Sequence, residues 1–493
     1  MYKSVIGCLF FIFTLSVNAQ NFTSNILDKD TKHPVPYAAI QTGEHEGVIS
    51  NEEGLFNIDL NNNTVQQVTI SCLGYKTQVF TIKSIIDSNY TIELEPSINE
   101  LNTVYLSTTR PNADSIIART IRHLKENHQT DAIKNHKLFH RETTAMDFKK
   151  LDFEIKKASH VKRKQLAGVN SELEMMTNEV MSSNLVHFTD FMGALSSSDK
   201  LGYKLEVEKA TQIINSKKDF SMDNVQEKAQ NIVLKYLDTT LTYKLKTGLF
   251  KIEDSLSLAS DNKKEDKKQE FKIDDLKSKA YSMFSDAGTN PKNLLKSIIN
   301  LDYYRYYLRD ATFNNDEMVY IIDYTPRKSK SKYAGTLYIA ADNYAVLKAS
   351  YKYAKGKRGE KLNLRLVLGV KYIENVSNGI ILFTKNADNT YDPRYIKEET
   401  GRYFYVSRPL KFIENSNYKR KFGFNFKIEG NIMNKRELLF TGSKIISNEE
   451  FNSIKEPETV PYQIQRKYDA SIWGSNETLV PNKELKTFDA SEN

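Results

Sequence analysis

The stretch Leu362-Asn-Leu-Arg-Leu-Val-Leu-Gly-Val-Lys-Tyr372 is the most regular part of this 493-residue chain. A period of two over so long a run indicates a β-strand with one buried face. The sequence therefore predicts a central strand of an antiparallel sheet, whose apolar face is core if helices cover it. If that face lines an open cavity instead, it is the expected ligand-facing surface of the protein. The side chains that alternate onto it are Leu362, Leu364, Leu366, Leu368, Val370 and Tyr372.

The segments around this stretch predict more strands, separated by turns rich in Asn, Asp and Gly. They cover residues 303–313, 318–324, 333–340, 345–353, 380–389, 401–407 and 437–445. We expect one large, curved, half-barrel-like antiparallel sheet over residues 301–450, followed by a C-terminal extension over residues 451–493. Residues 111–300 predict a helical or mixed region packed on that sheet, with a charged loop at residues 260–268.

Charge and composition narrow the class of protein. The chain has 70 Lys and Arg against 62 Asp and Glu, a formal net charge of +8. Both signs are interspersed almost everywhere, which is typical of a solvated surface and argues against a nucleic-acid partner. Weak attraction to an anionic membrane surface stays open, above all at the basic turn of residues 352–361.

The N-terminus has the pattern of a secretory signal peptide. Lys3 precedes an apolar run over residues 4–17, and Val17-Asn18-Ala19 supplies small residues for cleavage after Ala19. Residues 1–19 are therefore predicted to be removed, and the protein to be exported to the periplasm, outer membrane or cell surface. No other stretch is long and apolar enough to predict a transmembrane segment in the mature chain. Cleavage leaves Cys72 as the only cysteine, which predicts a buried thiol and no intramolecular disulfide.

Residues 20–95 predict a small β domain, followed by a linker over residues 96–110. Within it, Val35-Pro-Tyr-Ala-Ala-Ile40, Asn51-Glu-Glu-Gly-Leu-Phe56 and Ile70-Ser-Cys-Leu-Gly-Tyr75 form a recognisable series. These motifs resemble the carboxypeptidase regulatory-like domain, a prealbumin-type fold found at the N-termini of exported Bacteroidota proteins. The resemblance implies a seven-stranded Greek-key-type β-sandwich and a non-catalytic accessory role.

The C-terminal half resembles uncharacterised exported Bacteroidota proteins that carry the same sandwich. The motifs concerned are residues 310–324, residues 333–339 and the ending Tyr468-Asp-Ala-Ser-Ile-Trp473. Its layout is also similar to the half-barrels of lipoprotein-carrier proteins, which is an analogy at the level of fold.

One pair of residues raises a catalytic alternative. His123 and Glu126 have the His-x-x-Glu spacing that supplies two zinc ligands in metallocarboxypeptidases. They stand on the polar side of a predicted helix, where a solvated helix end is the simpler interpretation. Tyr303-Tyr-Arg-Tyr-Tyr307 could stack on a ligand, although strand packing explains it more simply.

The sequence thus predicts mainly β structure with α+β character in a non-catalytic cell-envelope protein without a cofactor. We expect it to bind a ligand, a lipid or another envelope protein. The alternatives are a zinc hydrolase using His123 and Glu126, or an accessory to TonB-dependent outer-membrane import, because similar sandwiches precede the barrels of that system.

Overall fold

The computed structural model describes most of the chain. The described residues are 21–43, 46–59, 65–97, 111–128, 132–159, 161–183, 185–198, 200–214, 222–248, 250–258, 269–314, 317–386, 388–474 and 478–489. The predicted signal peptide, most of the predicted linker and the charged loop lie outside them. Within them, no helix combines the length and apolarity needed to cross a membrane.

The N-terminal domain is a β-sandwich, as predicted. Its elements are β1 (Asn21–Asp28), β2 (Ala39–Gly43), β3 (Glu46–Ile49), β4 (Leu55–Asp59), β5 (Gln67–Ser71), β6 (Gln78–Thr81), α1 (Ile82–Asp87) and β7 (Thr91–Leu94). One sheet has the order β4-β1-β7 and the other β3-β2-β5-β6. Ile26 of the first sheet is buried in one core with Ile40 and Ile70 of the second. Alternation along each short strand supplies these inward side chains.

Gly54 makes the turn into β4 possible. Its φ is +73°, and a Cβ there would lie 2.6 Å from the carbonyl oxygen of Ile26. Only glycine tolerates both the left-handed backbone and this close approach. The turn sends Phe56 into the sandwich core, where it is completely buried.

The remaining elements build a second, much larger unit. Its helices are α2 (Ala113–His128), α3 (Arg163–Ser182), α4 (Met222–Leu234), α5 (Ile273–Asp286), α6 (Leu294–Ile298), α7 (Arg365–Leu368), α8 (Asn448–Ser453) and α9 (Lys483–Thr487), with a 3₁₀ turn at Ala470–Trp473. Its strands are β8 (Ile133–Ala158), β9 (Leu185–Ser198), β10 (Gly202–Ile213), β11 (Thr242–Thr247), β12 (Phe250–Ser257), β13 (Glu270–Lys272), β14 (Tyr304–Asn314), β15 (Glu317–Pro326), β16 (Tyr333–Ala340), β17 (Val346–Tyr353), β18 (Lys361–Leu364), β19 (Val370–Lys385), β20 (Tyr391–Glu414), β21 (Lys421–Ile446), β22 (Thr459–Pro461) and β23 (Gln463–Gln465).

The large sheet runs in the order β14-β15-β16-β17-β19-β20-β21-β8-β9-β10-β23. It is antiparallel except where β23 joins β10. The expected large antiparallel sheet with packed helices is therefore confirmed, but its confinement to residues 301–450 is wrong. Strands β8, β9 and β10 come from the preceding region and extend the sheet beyond β21. Their alternation is obscured because the N-terminal part of β8 is buried on both faces and places His136, His140 and Arg141 in the interior.

Two groups of helices pack on the large sheet. Helices α2, α5 and α6 pack on one part of the sheet around Leu276, Ile322 and Leu438. Helices α3 and α4 pack on another part, around Leu173, Val225 and Phe422. These apolar clusters are core, because their side chains are buried against one another.

The stretch from Leu362 to Tyr372 is not a continuous strand, which corrects the prediction made from its alternation. β18 ends at Leu364, α7 follows as a single turn, and Gly369 reverses the chain with φ +62° before β19 begins. A Cβ at Gly369 would collide with the carbonyl oxygen of Ser407, so this position requires glycine. The leucines are not core, because Leu362, Leu364 and Leu366 are exposed.

Candidate ligand cleft between the sandwich and the large sheet

The sandwich is fixed to the large sheet through Glu52. This carboxylate pairs with Lys397 of β20 and, at 2.8 Å, with Lys435 of β21. Burial opposes the ionisation of Glu52, but hydrogen bonds from the two lysines outweigh it and lower its pKa to about 2. Tyr37 donates a hydrogen bond to the same carboxylate and packs its ring 5.4 Å from that of Tyr395.

The C-terminal segment strengthens the same junction. Ile49 of the sandwich is buried with Phe139 of β8, Trp473 and Leu479. Arg141 of β8 donates to the carbonyl oxygen of Leu479 at 3.1 Å. The predicted C-terminal extension is therefore packed against both units rather than separate from them.

Between the two units lies a cavity of about 340 Å³. The sandwich contributes Tyr37 and Cys72, and the large sheet contributes Lys348, Phe383 and Arg394. Its walls mix apolar side chains with many polar ones, and a concave pocket with convergent polar groups is the usual form of a small-molecule site. This cavity is the candidate functional site of the protein.

The charges around the cleft are balanced except at one lysine. Lys134 pairs with Asp392 at 2.8 Å, and Lys385 pairs with Glu317 at 3.2 Å. Lys348 of β17 has no ion pair with any carboxylate of the described residues, and its Nζ lies 5.3 Å from the ring centroid of Tyr338. Desolvation lowers the pKa of Lys348 because no counter-charge offsets the loss of water.

Cys72 and Arg394 are further polar groups that line the cleft. Burial raises the pKa of Cys72 to about 11, so its sulfur is a neutral thiol at physiological pH. A thiol is a weak nucleophile compared with a thiolate. The guanidinium of Arg394 donates to the carbonyl oxygen of Gly47.

The structure places the residues predicted from sequence outside this cleft. His123 Nδ1 and Glu126 Oε2 are 2.7 Å apart on the last turns of α2, both partly exposed. Nowhere in the described chain do three or more His, Cys, Asp or Glu side chains form a group that could hold a metal ion. Tyr304 and Tyr306 are buried in the core beside Tyr324, as strand packing predicts.

Sequence reasoning missed Lys348. Lys348 shares one side of β17 with Ser350 and Lys352, and this alternation with apolar residues predicts a solvent-facing lysine. A largely buried lysine without an ion pair is nevertheless a common mark of a functional site.

Comparisons with known proteins agree with the N-terminal domain. Residues 23–106 match the CarboxypepD_reg-like domain, so the match extends beyond the predicted boundary at residue 95. No curated protein and no solved structure gives a significant match to the chain. The match covers the sandwich.

Proposed function

We propose that this chain is a non-catalytic cell-envelope protein that binds a small anionic ligand between its sandwich and its large sheet. Lys348 carries this proposal. Its ammonium is largely buried in the cleft, whereas the lysines nearby already have carboxylate partners. An anion would supply the missing counter-charge and offset the desolvation of Lys348.

The size and lining of the cleft favour a small organic anion. Its volume of about 340 Å³ is at the lower end of the range of small-molecule pockets. Phe383 and Leu382 offer apolar contacts, while Lys348 offers positive charge. A carboxylate on a short carbon skeleton matches this combination.

The location in the envelope is supported by the N-terminal sequence. Residues 1–19 have the positive start, apolar run and small cleavage-site residues of a secretory signal. N-terminal sequencing of the protein recovered from the periplasm would test this, with Gln20 expected as the first residue. Recovery from the cytoplasm with Met1 in place would contradict it.

Ligand binding is tested by calorimetric titration and thermal unfolding with succinate and with inorganic phosphate. We expect one of these anions to bind and to raise the melting temperature, because a ligand that binds only the folded state stabilises it. Lys348→Met should weaken binding about tenfold or more, since it removes the charge and keeps the length of the side chain.

Lys83→Met is the matched control, because Lys83 lies on the exposed side of α1. It should bind the anion like the unaltered protein. The proposal is overturned if neither anion binds, or if Lys348→Met remains folded and binds with unchanged affinity.

A further inference from the structure

Exposed apolar side chains gather where the leucine stretch meets the β11–β12 hairpin. We name this group the apolar tip: Leu362 (45% exposed), Leu364 (37%), Leu366 (fully exposed), Val367 (68%), Phe250 (50%) and Ile252 (54%). Large exposed apolar groups that cluster, rather than scatter, mark an interaction surface.

Strand β20 brings the two parts of the tip together. Val370 at the start of β19 pairs with Val406, and Thr247 at the end of β11 pairs with Leu410 a few residues further along. Leu368, Phe250 and Ile252 line the shallow pocket that lies between them over Arg408. The tip is therefore one surface built from two distant segments of the chain.

The geometry of the tip is fixed by the backbone. The amide of Gly369 donates to the carbonyl oxygen of Arg365 at 3.1 Å. The amide of Ser407 donates to the carbonyl oxygen of Gly369 at 2.8 Å. These bonds hold the α7 turn in place and leave Leu366 and Val367 pointing into solvent. An apolar surface that is already ordered loses little conformational entropy when it is buried by a partner.

The tip continues an apolar face that is covered elsewhere. Leu362 pairs with Tyr372, and Tyr372 pairs with Phe404, so these side chains share one face of the sheet. Phe404 packs on the core beneath α3 and α4. Helices α3 and α4 do not extend over β18, so the leucines of that strand have no helix of the described chain packed on them.

Basic side chains predominate on the leucine side of the tip, and we name them the basic collar. Residues 355–371 contain a single acidic residue, Glu360, and six basic ones: Lys355, Lys357, Arg358, Lys361, Arg365 and Lys371. On the hairpin side, Asp254 follows Ile252 closely and is paired with Lys244 and Lys251. The Arg365 guanidinium lies 4.3 Å from the ring centroid of Tyr405, and Lys427 approaches the same ring at 5.7 Å. Apolar side chains flanked by cations and tyrosine rings match the chemistry of an anionic membrane surface.

We propose that the apolar tip docks this protein on an anionic lipid bilayer, with Leu366 and Val367 entering the headgroup region. The basic collar then contacts the lipid phosphates. A second copy of this chain fits the surface less well, because its own collar would repel the first. A small apolar ligand also fits less well, because Leu366 protrudes fully into solvent and encloses nothing. This surface uses none of the residues of the cleft and goes beyond its proposed ligand.

Co-sedimentation with vesicles tests the proposal. The full chain should bind vesicles of phosphatidylethanolamine with phosphatidylglycerol, and bind vesicles of phosphatidylcholine much more weakly. The double variant Leu366→Asp, Val367→Asp should lower binding about tenfold or more, because it places two anions at the point of insertion. Arg365→Gln with Lys371→Gln should lower binding and reduce its sensitivity to salt.

The matched control is Val79→Asp with Ile445→Asp, which adds the same charge at exposed apolar positions away from the tip. This control should bind the anionic vesicles like the unaltered protein. Every variant is made in the same full chain, so any vesicle binding by the apolar N-terminal segment is the same in all of them and does not affect the comparison. Leu366→Trp provides a second readout, since its fluorescence should shift to shorter wavelength only if the side chain enters the lipid.

Three results would overturn the proposal. The first is that the unaltered chain does not sediment with the anionic vesicles. The second is that the tip variant, still folded, sediments as well as the control. The third is that light scattering shows a dimer that only the tip variant abolishes, which would assign the surface to a second copy. Lys348→Met should bind vesicles normally, so failure of the cleft and failure of the tip are distinguishable.

Discussion

Glu52 of the sandwich and Lys435 of the large sheet form an ion pair of 2.8 Å that spans the junction between the two units. Lys397 shares the same carboxylate, and both lysines are mostly buried, with side-chain exposures of 10% and 17%. Glu399 also pairs with Lys397 at 2.7 Å, and Glu437 lies 3.7 Å from Lys435, so three carboxylates share two cations that the junction has removed from water.

Replacing Glu52 with Gln should lower the free energy of unfolding by about 1–2 kcal/mol, because two partly desolvated ammonium groups lose a counter-charge. Urea unfolding measures the change. The control is Glu93→Gln, which breaks an exposed pair with Lys32 and should cost less than about 0.5 kcal/mol. Equal effects of the two substitutions would show that the junction does not depend on Glu52.

Arg141 and Asp190 form a completely buried ion pair on adjacent strands. The Nη2–Oδ2 distance is 2.7 Å, and both side chains are 3% exposed. Asp190→Asn should destabilise the fold by roughly 3–5 kcal/mol, because it leaves a guanidinium buried without its anion. Chemical denaturation checks this value against Asp152→Asn, whose partner Lys150 is exposed and 4.0 Å away. A loss similar to that of the control would contradict the expectation.

His128 should make stability fall in mild acid. Its Nε2 accepts a hydrogen bond from the amide of Val346 at 3.1 Å, and burial lowers its pKa from 6.5 to about 4. The unfolded chain therefore takes up a proton first as the pH falls below 6.5, and the folded state loses stability. At about 1.4 kcal/mol per pH unit, His128 contributes a loss of roughly 2 kcal/mol between pH 6.5 and pH 5.

Urea unfolding at pH 7 and at pH 5 measures this dependence. His128→Gln keeps an acceptor for the amide of Val346 and should reduce the loss of unfolding free energy by the part that His128 contributes. A pH-dependent loss of similar size should remain, because His136 is also buried and has a lowered pKa. His33→Gln, at an exposed position, should leave the profile unchanged. An identical pH profile for His128→Gln would show that the imidazole is not held neutral.

Lys348→Met should stabilise the unliganded protein by about 1 kcal/mol, because it removes a desolvated charge that no described carboxylate offsets. The lowered pKa means that Lys348 deprotonates in the folded state before it does in the unfolded state. The gain should therefore shrink as the pH rises toward 10.5. Thermal unfolding at two pH values measures it. A loss of stability at neutral pH would show that the ammonium has a favourable partner in the cleft.

Local patterns predicted those parts of the fold that local interactions determine. The sandwich followed from strands of alternating residues and from turns such as the one at Gly54. The prediction of one continuous strand from the leucine stretch was wrong because alternating apolar residues are also compatible with a turn. The need for glycine at position 369 could not be seen in the local sequence, because a Cβ there would collide with Ser407, which belongs to a different strand. β8 was missed because its buried polar residues are accommodated only after the sheet has formed, when Arg141 pairs with Asp190 and His140 stacks on Phe191.

The candidate sites could not be predicted for the same reason. Cys72, Lys348 and Arg394 come together only when the sandwich docks on the sheet. Phe250 and Leu368 line one pocket only because β11, the partner of β12, and β19 both pair with β20. Sequence patterns identify such residues as unusual, but their neighbours are set by tertiary contacts.

The pairing of β8 with β21 joins Ile133 to Ile446, so it connects an early strand of the large unit to a late one. Contacts between residues so far apart in sequence slow folding, since a long loop must close before they form. A chain emerging from the ribosome or a translocation pore cannot complete this sheet until residues near 446 are available. The sandwich, whose contacts are local, is free to fold first, and the large unit is expected to need protection from aggregation until β21 arrives.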